Sequence, residues 1–95
     1  MKREHVHLIG IGGTGMTALA GLLDASGCHV TGSDVQLYPP TSGILEELGL
    51  EVRGGFDPAN LDPSPDVVVV GNAISRSNPE LEALMDQGIL SLIHI

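Results

Sequence analysis

The stretch His5-Val6-His7-Leu8-Ile9-Gly10-Ile11-Gly12-Gly13-Thr14-Gly15-Met16 decides the fold. A short run rich in β-formers leads into four glycines within six residues, and a helical pattern follows. Met16, Leu19, Ala20 and Leu23 recur at i, i+3 and i+4, which lays one apolar stripe along a helix. The segment Gly10-Ile11-Gly12-Gly13-Thr14-Gly15 is therefore a G-x-G-x-x-G set between a strand and a helix, the context that gives this motif meaning. Its first glycine allows the tight turn, its second lets backbone approach a phosphate, and its third allows close packing of helix on sheet. The N–H groups at the helix start, aided by the helix dipole, then face an anion. The alternative is a ligand-free turn, for which so many glycines would cost backbone entropy without a packing gain.

Working outward, one unit recurs: a helical segment, a glycine, a short apolar strand. It reads Ser26-Gly27-Cys28-His29-Val30, then Leu48-Gly49-Leu50-Glu51-Val52, then Gln87-Gly88-Ile89-Leu90. Each glycine stands where a helix end favours positive φ. Ile44, Leu45 and Leu48 mark the second helix, and Leu81, Leu84 and Met85 the third, each with an apolar stripe. Val67 to Val70 is a continuous valine run, as expected of a strand buried on both faces. Strands alternating with helices predict an α/β domain with a parallel sheet and right-handed crossovers. Asp57 to Pro65 reads as a surface connection. No domain boundary interrupts residues 1–95, so a single domain is expected.

Two further loops carry candidate ligand contacts. Gly32-Ser33-Asp34 ends the second strand, where an acid can accept hydrogen bonds from a ribose. Tyr38-Pro39-Pro40 stiffens the chain before Thr41 or Ser42 caps the next helix. After the valine strand comes Gly71-Asn72-Ala73-Ile74-Ser75-Arg76-Ser77-Asn78-Pro79-Glu80, at the strand edge where open α/β sheets bind ligands. Asn72 can donate and accept, and Arg76 is the basic side chain nearest these loops; each is a ligand candidate. Asn78-Pro79 reads as a helix cap with proline in the first turn, and Ser77 with Glu80 as a capping box.

Composition excludes other classes. Twelve Asp and Glu against four Lys and Arg give a net charge of −8, which argues against a nucleic-acid surface. Phe56 and Tyr38 are the only aromatics of the Phe, Trp and Tyr class, too few for a base-stacking platform. The acids gather at Glu46 to Asp66 and Glu80 to Asp86, whereas His5 to Leu23 contains no charged residue of the Asp, Glu, Lys or Arg types. The single cysteine, Cys28, fits a reducing compartment and a small apolar role at a strand start. Glycines break the apolar stretch after Lys2 and Arg3, which opposes a signal peptide, and no run is long enough to span a membrane. A cytoplasmic location is expected. His5 and His7 share a strand face but have no evident third ligand, so no metal is expected. No phosphate loop of the G-x-x-x-x-G-K-[S/T] type, nucleophile elbow or H-E-x-x-H occurs, and no catalytic set is predicted.

Together the three loops carry a family resemblance. His7-Leu8-Ile9-Gly10-Ile11-Gly12-Gly13-Thr14-Gly15-Met16, then Gly32-Ser33-Asp34, then Asn72-Ala73-Ile74-Ser75 ending in Asn78-Pro79-Glu80 resemble the N-terminal domain of the Mur ligases. The likeness is to the branch that uses UDP-N-acetylmuramate. Tyr38-Pro39-Pro40 and Gly71-Asn72-Ala73 look more like its murein-recycling members, which join that sugar to L-alanyl-γ-D-glutamyl-meso-diaminopimelate, than like its L-alanine-adding members. The resemblance implies a three-layer Rossmann-like domain with a five-stranded parallel sheet of order 3-2-1-4-5. It implies UDP-sugar contacts at Gly10, Gly12, Gly13, Thr14, Gly15 and Met16, at Ser33 and Asp34 near the uridine, and at Asn72 and Ala73 on its other side, with Arg76 nearby.

The resemblance also implies a parent enzyme that forms an amide bond through an acyl phosphate, using ATP and magnesium. The ATP-binding and C-terminal domains of that parent would be partners of this segment, which is expected to be an N-terminal fragment with no cofactor of its own. Ser91-Leu92-Ile93-His94-Ile95 departs from the family's continuation. Two other readings fit parts of the pattern: an NAD(H)-binding Rossmann domain, from Gly10 to Asp34, and an interaction module without a ligand.

Overall fold

The computed structural model describes residues 4–35, 41–61, 65–71, 74, 77–86 and 92–94. Strand β1 (His5–Ile9) leads to helix α1 (Thr14–Ala25), β2 (His29–Asp34), α2 (Thr41–Leu48) and β3 (Glu51–Gly54). A 3-10 turn (Pro58–Leu61), β4 (Val67–Val70), α3 (Pro79–Asp86) and β5 (Leu92–His94) complete the order. All strand pairs are parallel, in the sequence β3-β2-β1-β4-β5 across the sheet.

The expectation of a full five-stranded sheet of order 3-2-1-4-5 needs correction at its edge. The body that packs the three helices is the four-stranded part, β3-β2-β1-β4. β5 adds only the three residues Leu92–His94 at the edge of β4, and Ile93 remains half exposed. The strand expected at Ile89-Leu90 lies outside the described residues. The strand that is described begins at Leu92, within the stretch that departs from the family pattern.

Helices α1 and α2 end as the repeated glycine unit predicts, while Gly88, after α3, lies outside the described residues. Gly27 (φ +90°) donates to Asp24 O and Cys28 N to Leu23 O, while Gly49 (φ +68°) donates to Glu46 O and Leu50 N to Leu45 O. Both are Schellman motifs, in which a left-handed glycine lets the chain reverse and return into a strand. Cys28 lies just before β2 and packs, half-buried, against the core.

Strand alternation divides the interior into two layers. Val6, Leu8, Val30 and Val69 face α1 and α2 with Ile11, Met16, Ala20 and Leu45. Ile9, Val68 and Val70 face α3 with Leu61, Leu81 and Leu84. The predicted stripes hold except at their margins, where Ile44 and Met85 are exposed. Beside α1, an apolar groove lined by Val6, Leu19, Leu23, Val67, Val69 and Ile93 remains open.

Helix α3 starts at the predicted cap, because Asn78 Oδ1 accepts from Glu80 N (2.9 Å) and Leu81 N (3.3 Å). Asn78→Ala should lower the unfolding free energy by about 1 kcal/mol, read as a lower urea midpoint at unchanged slope. An unchanged midpoint would show that the cap contributes nothing.

Candidate functional site

The glycine loop is tied to the end of β2. Ser33 O accepts from both Gly10 N (2.8 Å) and Ile11 N (3.1 Å), and Gly10 turns the chain at φ +86°. Gly12 N donates to Asp34 Oδ2 at 2.9 Å, while Asp34 Oδ1 accepts from Val35 N at 2.8 Å. Buried Thr17 pins the loop from inside, its hydroxyl donating to Ile11 O and Gly13 O at 2.9 Å each.

Gly13 is the N-cap of α1 and makes no side-chain cap bond. The N–H groups of Thr14, Gly15 and Met16 therefore open the helix without an intrahelical acceptor. A Cβ built on Gly15 would meet no described atom within 4 Å, so Gly15 is open at its own side-chain position. This corrects the role expected for the third glycine, since Gly15 packs against no part of the sheet. Close packing is found at Gly32 instead, where the Ile11 side chain lies over β2. The Met16 side chain is core, leaving only its N–H for the site.

The loop after β4 approaches the same place. Gly71 N donates to Ile9 O, Ile74 N to Gly71 O, and the Ile74 side chain lies against Gly10. Gly10, Gly12, Gly13, Gly15, Ser33 and Asp34 thus gather at the C-terminal edge of β1 and β2. Asn72, Ala73 and Arg76 lie outside the described residues, as do Tyr38, Pro39 and Pro40 and the side chain of Thr14.

Beneath this edge lies a buried polar network that the sequence reading missed. The β1–β2 register pairs His5 with His29, His7 with Thr31 and Ile9 with Ser33, so these residues share the α3 face. His7, Ser33 and Glu80 are each 0% exposed. Glu80 Oε1 accepts from Ser33 Oγ (2.7 Å) and pairs with His7 Nε2 (2.8 Å). Its Oε2 accepts from Asn60 Nδ2 (2.8 Å) and Asp57 N (3.1 Å). The Thr31 hydroxyl joins His7 Nδ1 (2.8 Å) to His5 Nε2 (2.9 Å). His5 stacks edge-on against His29, and its N–H donates to Asp66 Oδ2.

Glu80 is thus not the capping-box partner of Ser77, because its carboxylate turns inward. Burial pushes its pKa up, but the bonds from His7, Asn60, Ser33 and Asp57 outweigh that and hold it below 4.5. Burial, with the neighbouring charges of His29 and His7, lowers the pKa of His5. Among the described residues, no group of three His, Cys, Asp or Glu converges as a metal site, and no helix is long and apolar enough to cross a membrane. The arrangement can hold an anion against backbone N–H groups; among the described residues, no nucleophile and base come together at the open edge.

Known proteins share both sequence and fold. The family model described as Mur ligase family, catalytic domain, matches residues 5–92. A UDP-N-acetylmuramate–L-alanyl-γ-D-glutamyl-meso-2,6-diaminoheptandioate ligase from Haemophilus influenzae is 45% identical over 86 residues, covering 90% of this chain and 19% of that protein. A UDP-N-acetylmuramate–L-alanine ligase from Lactobacillus helveticus is 44% identical over 89 residues, covering 93% and 20%. The crystal structure of a murein peptide ligase from Psychrobacter arcticus superposes with a TM-score of 0.85 at 44% identity, over 97% of this chain and 18% of that one. The chain therefore spans about a fifth of the length of these relatives. With nearly its whole length matched in sequence, and the same fold at high identity, the chain belongs to the Mur ligase family.

Proposed function

We propose that this chain is the UDP-N-acetylmuramate-binding domain of an ATP-dependent peptide ligase of peptidoglycan recycling. The observation that carries the reading is the start of α1 at Gly13, which has no side-chain cap, with Gly15 open beside it. There the N–H groups of Thr14, Gly15 and Met16, with Gly12 and Gly13 beside them, meet the diphosphate. Gly10 turns the backbone out of the way. Asp34 is the candidate for the uridine ribose, with Asn72, Ala73 and Arg76 as further contacts; Ser33, expected there too, is fully buried with its hydroxyl on Glu80 and so supports the loop from within instead.

The acidic net charge does not oppose this. Exposed charges are screened beyond about 8 Å at physiological salt, whereas backbone donors act at contact distance. The sequence holds no G-x-x-x-x-G-K-[S/T] loop, and no chemical step is assigned to these residues. Amide-bond formation belongs to the rest of the parent enzyme. The recycling assignment rests on Tyr38-Pro39-Pro40 and Gly71-Asn72-Ala73, since relatives of the two branches are similar to the chain at 45% and 44% identity.

Side-by-side calorimetry of this chain with UDP-N-acetylmuramate and NADH tests the reading. Saturable binding of the uridine sugar, tighter than that of NADH, is expected. Tighter NADH binding would favour a dinucleotide domain. A folded chain that binds neither into the millimolar range would overturn both.

A further inference from the structure

We propose that Glu80 is a positioning residue for the diphosphate site, acting on the glycine loop through Ser33; this rests on the binding role proposed above. The carboxylate lies on α3, outside the glycine loop, yet a short chain of bonds links them. Glu80 Oε1 holds the Ser33 hydroxyl at 2.7 Å, and the carbonyl of the same residue holds Gly10 N and Ile11 N at 2.8 and 3.1 Å. Ser33 is fully buried and sits where β2 ends. Any rotation of its peptide moves the anchor of the loop, and with it the aim of the N–H groups beyond Gly12.

Glu80 is itself fixed on several sides, which gives the link its stiffness. Helix α3 carries it, β1 holds it through His7, and the connection between β3 and β4 holds it through Asn60 and the Asp57 N–H. Asn60 is tied in turn to Gly55 O at 2.8 Å. Three segments that end near the ligand edge thus meet at one carboxylate. A ligand recognised by backbone donors depends on their placement within about 0.5 Å, so a rigid support of this kind acts on affinity as well as on folding.

The link is specific to the polar face of β2. The apolar packing of Val68, beside His7 in the β1–β4 register, makes none of these hydrogen bonds, which supplies a reference. Val68→Ala weakens the same layer of the fold while leaving every hydrogen bond of Glu80, Ser33 and the loop with both its donor and its acceptor.

The test uses the chain with Ser33→Ala, Glu80→Gln, the double variant and Val68→Ala. Each is compared at a temperature where circular dichroism shows it folded. Two readouts are taken: calorimetric affinity for UDP-N-acetylmuramate, and amide hydrogen exchange at Gly10 and Ile11. Ser33→Ala and Glu80→Gln should each weaken binding about tenfold and speed exchange at those two amides. The double variant should lose no more than the worse single one, because both changes cut one path. Val68→Ala should lower the denaturation midpoint and leave affinity and the relative protection of Gly10 and Ile11 as in the wild type.

If the Ser33 and Glu80 variants bind and exchange like Val68→Ala, the positioning role is wrong. If the wild-type chain binds no uridine sugar, the functional reading fails, and the proposed role at the diphosphate site fails with it. Selective exchange at Gly10 and Ile11 would then still separate that failure from the absence of a link between Glu80 and the loop.

Discussion

Glu80→Ala is expected to lower the unfolding free energy by about 3–5 kcal/mol, the high end for one substitution, because a buried carboxylate is taken from several donors at once. A domain of this size has a total of roughly 5–15 kcal/mol, so the variant should sit near the edge of folding at 25 °C. The magnitude follows from what remains behind. His7 Nε2 and Ser33 Oγ would lose their acceptor in a fully buried site, and Asn60 Nδ2 and Asp57 N would lose one at its part-buried margin. Stranded buried donors cost more than the net worth of the bonds themselves. Urea denaturation checks this; a midpoint close to that of the wild type would show that water or repacking replaces the carboxylate.

The same network gives the fold an acid-sensitive limb. Because the folded state holds the Glu80 pKa below 4.5, the unfolded chain takes up that proton more readily. Its contribution is complete above pH 4.5 and drains away as the pH falls through the lower folded value. His5, also lowered, acts in the same direction from a higher starting point, its stabilising effect beginning to fall as the pH drops below 6.5. Wild-type stability should therefore decline on acidification and steepen below 4.5. Glu80→Ala should lack the lower portion of that slope, and two parallel pH profiles would contradict the assignment.

Why this hub escaped the sequence while the loops did not is a matter of range. Gly27 and Gly49 declare themselves because a helix end needs a left-handed residue within one turn, and Asn78-Pro79 does so by the same local logic. Val67 to Val70 announces a strand covered on both sides. The partner of Glu80, however, is fixed by the β1–β2 register and by which face of the sheet α3 crosses, and neither is local. Read alone, an acid after Asn-Pro is an ordinary first-turn glutamate. The available hint was the alternation of His5, His7, Thr31 and Ser33 in strands that must be buried, since polar groups there require partners.

Gly32→Ala is the other change with a large expected effect, and it tests how the glycine loop is seated. A Cβ at this position would lie 2.5 Å from Ile11 Cδ1, 2.7 Å from its Cβ and 3.0 Å from its Cγ2. Rotation about the Ile11 side chain can move Cδ1 and Cγ2 but not Cβ. The clash must then be relieved by backbone, either of β2 or of the loop, at about 1–3 kcal/mol or more. Trimming the neighbour separates the two contributions. Ile11→Ala added to Gly32→Ala removes the movable atoms and keeps the Cβ contact, so it should recover little of the loss, whereas Ile11→Gly should relieve the clash itself. Gly43→Ala serves as the contrast, because a Cβ there meets nothing within 4 Å and the residue lies inside α2. That substitution should raise stability by about 0.5–1 kcal/mol through helix propensity alone. Thermal melts of the set decide the matter. If Gly32→Ala melts with the wild type, Ile11 does not seat on β2 as described. If it melts early and full relief comes from Ile11→Ala, the obstruction lies in the outer side chain, and the loop backbone is less tightly bound to β2 than its hydrogen bonds to Ser33 indicate.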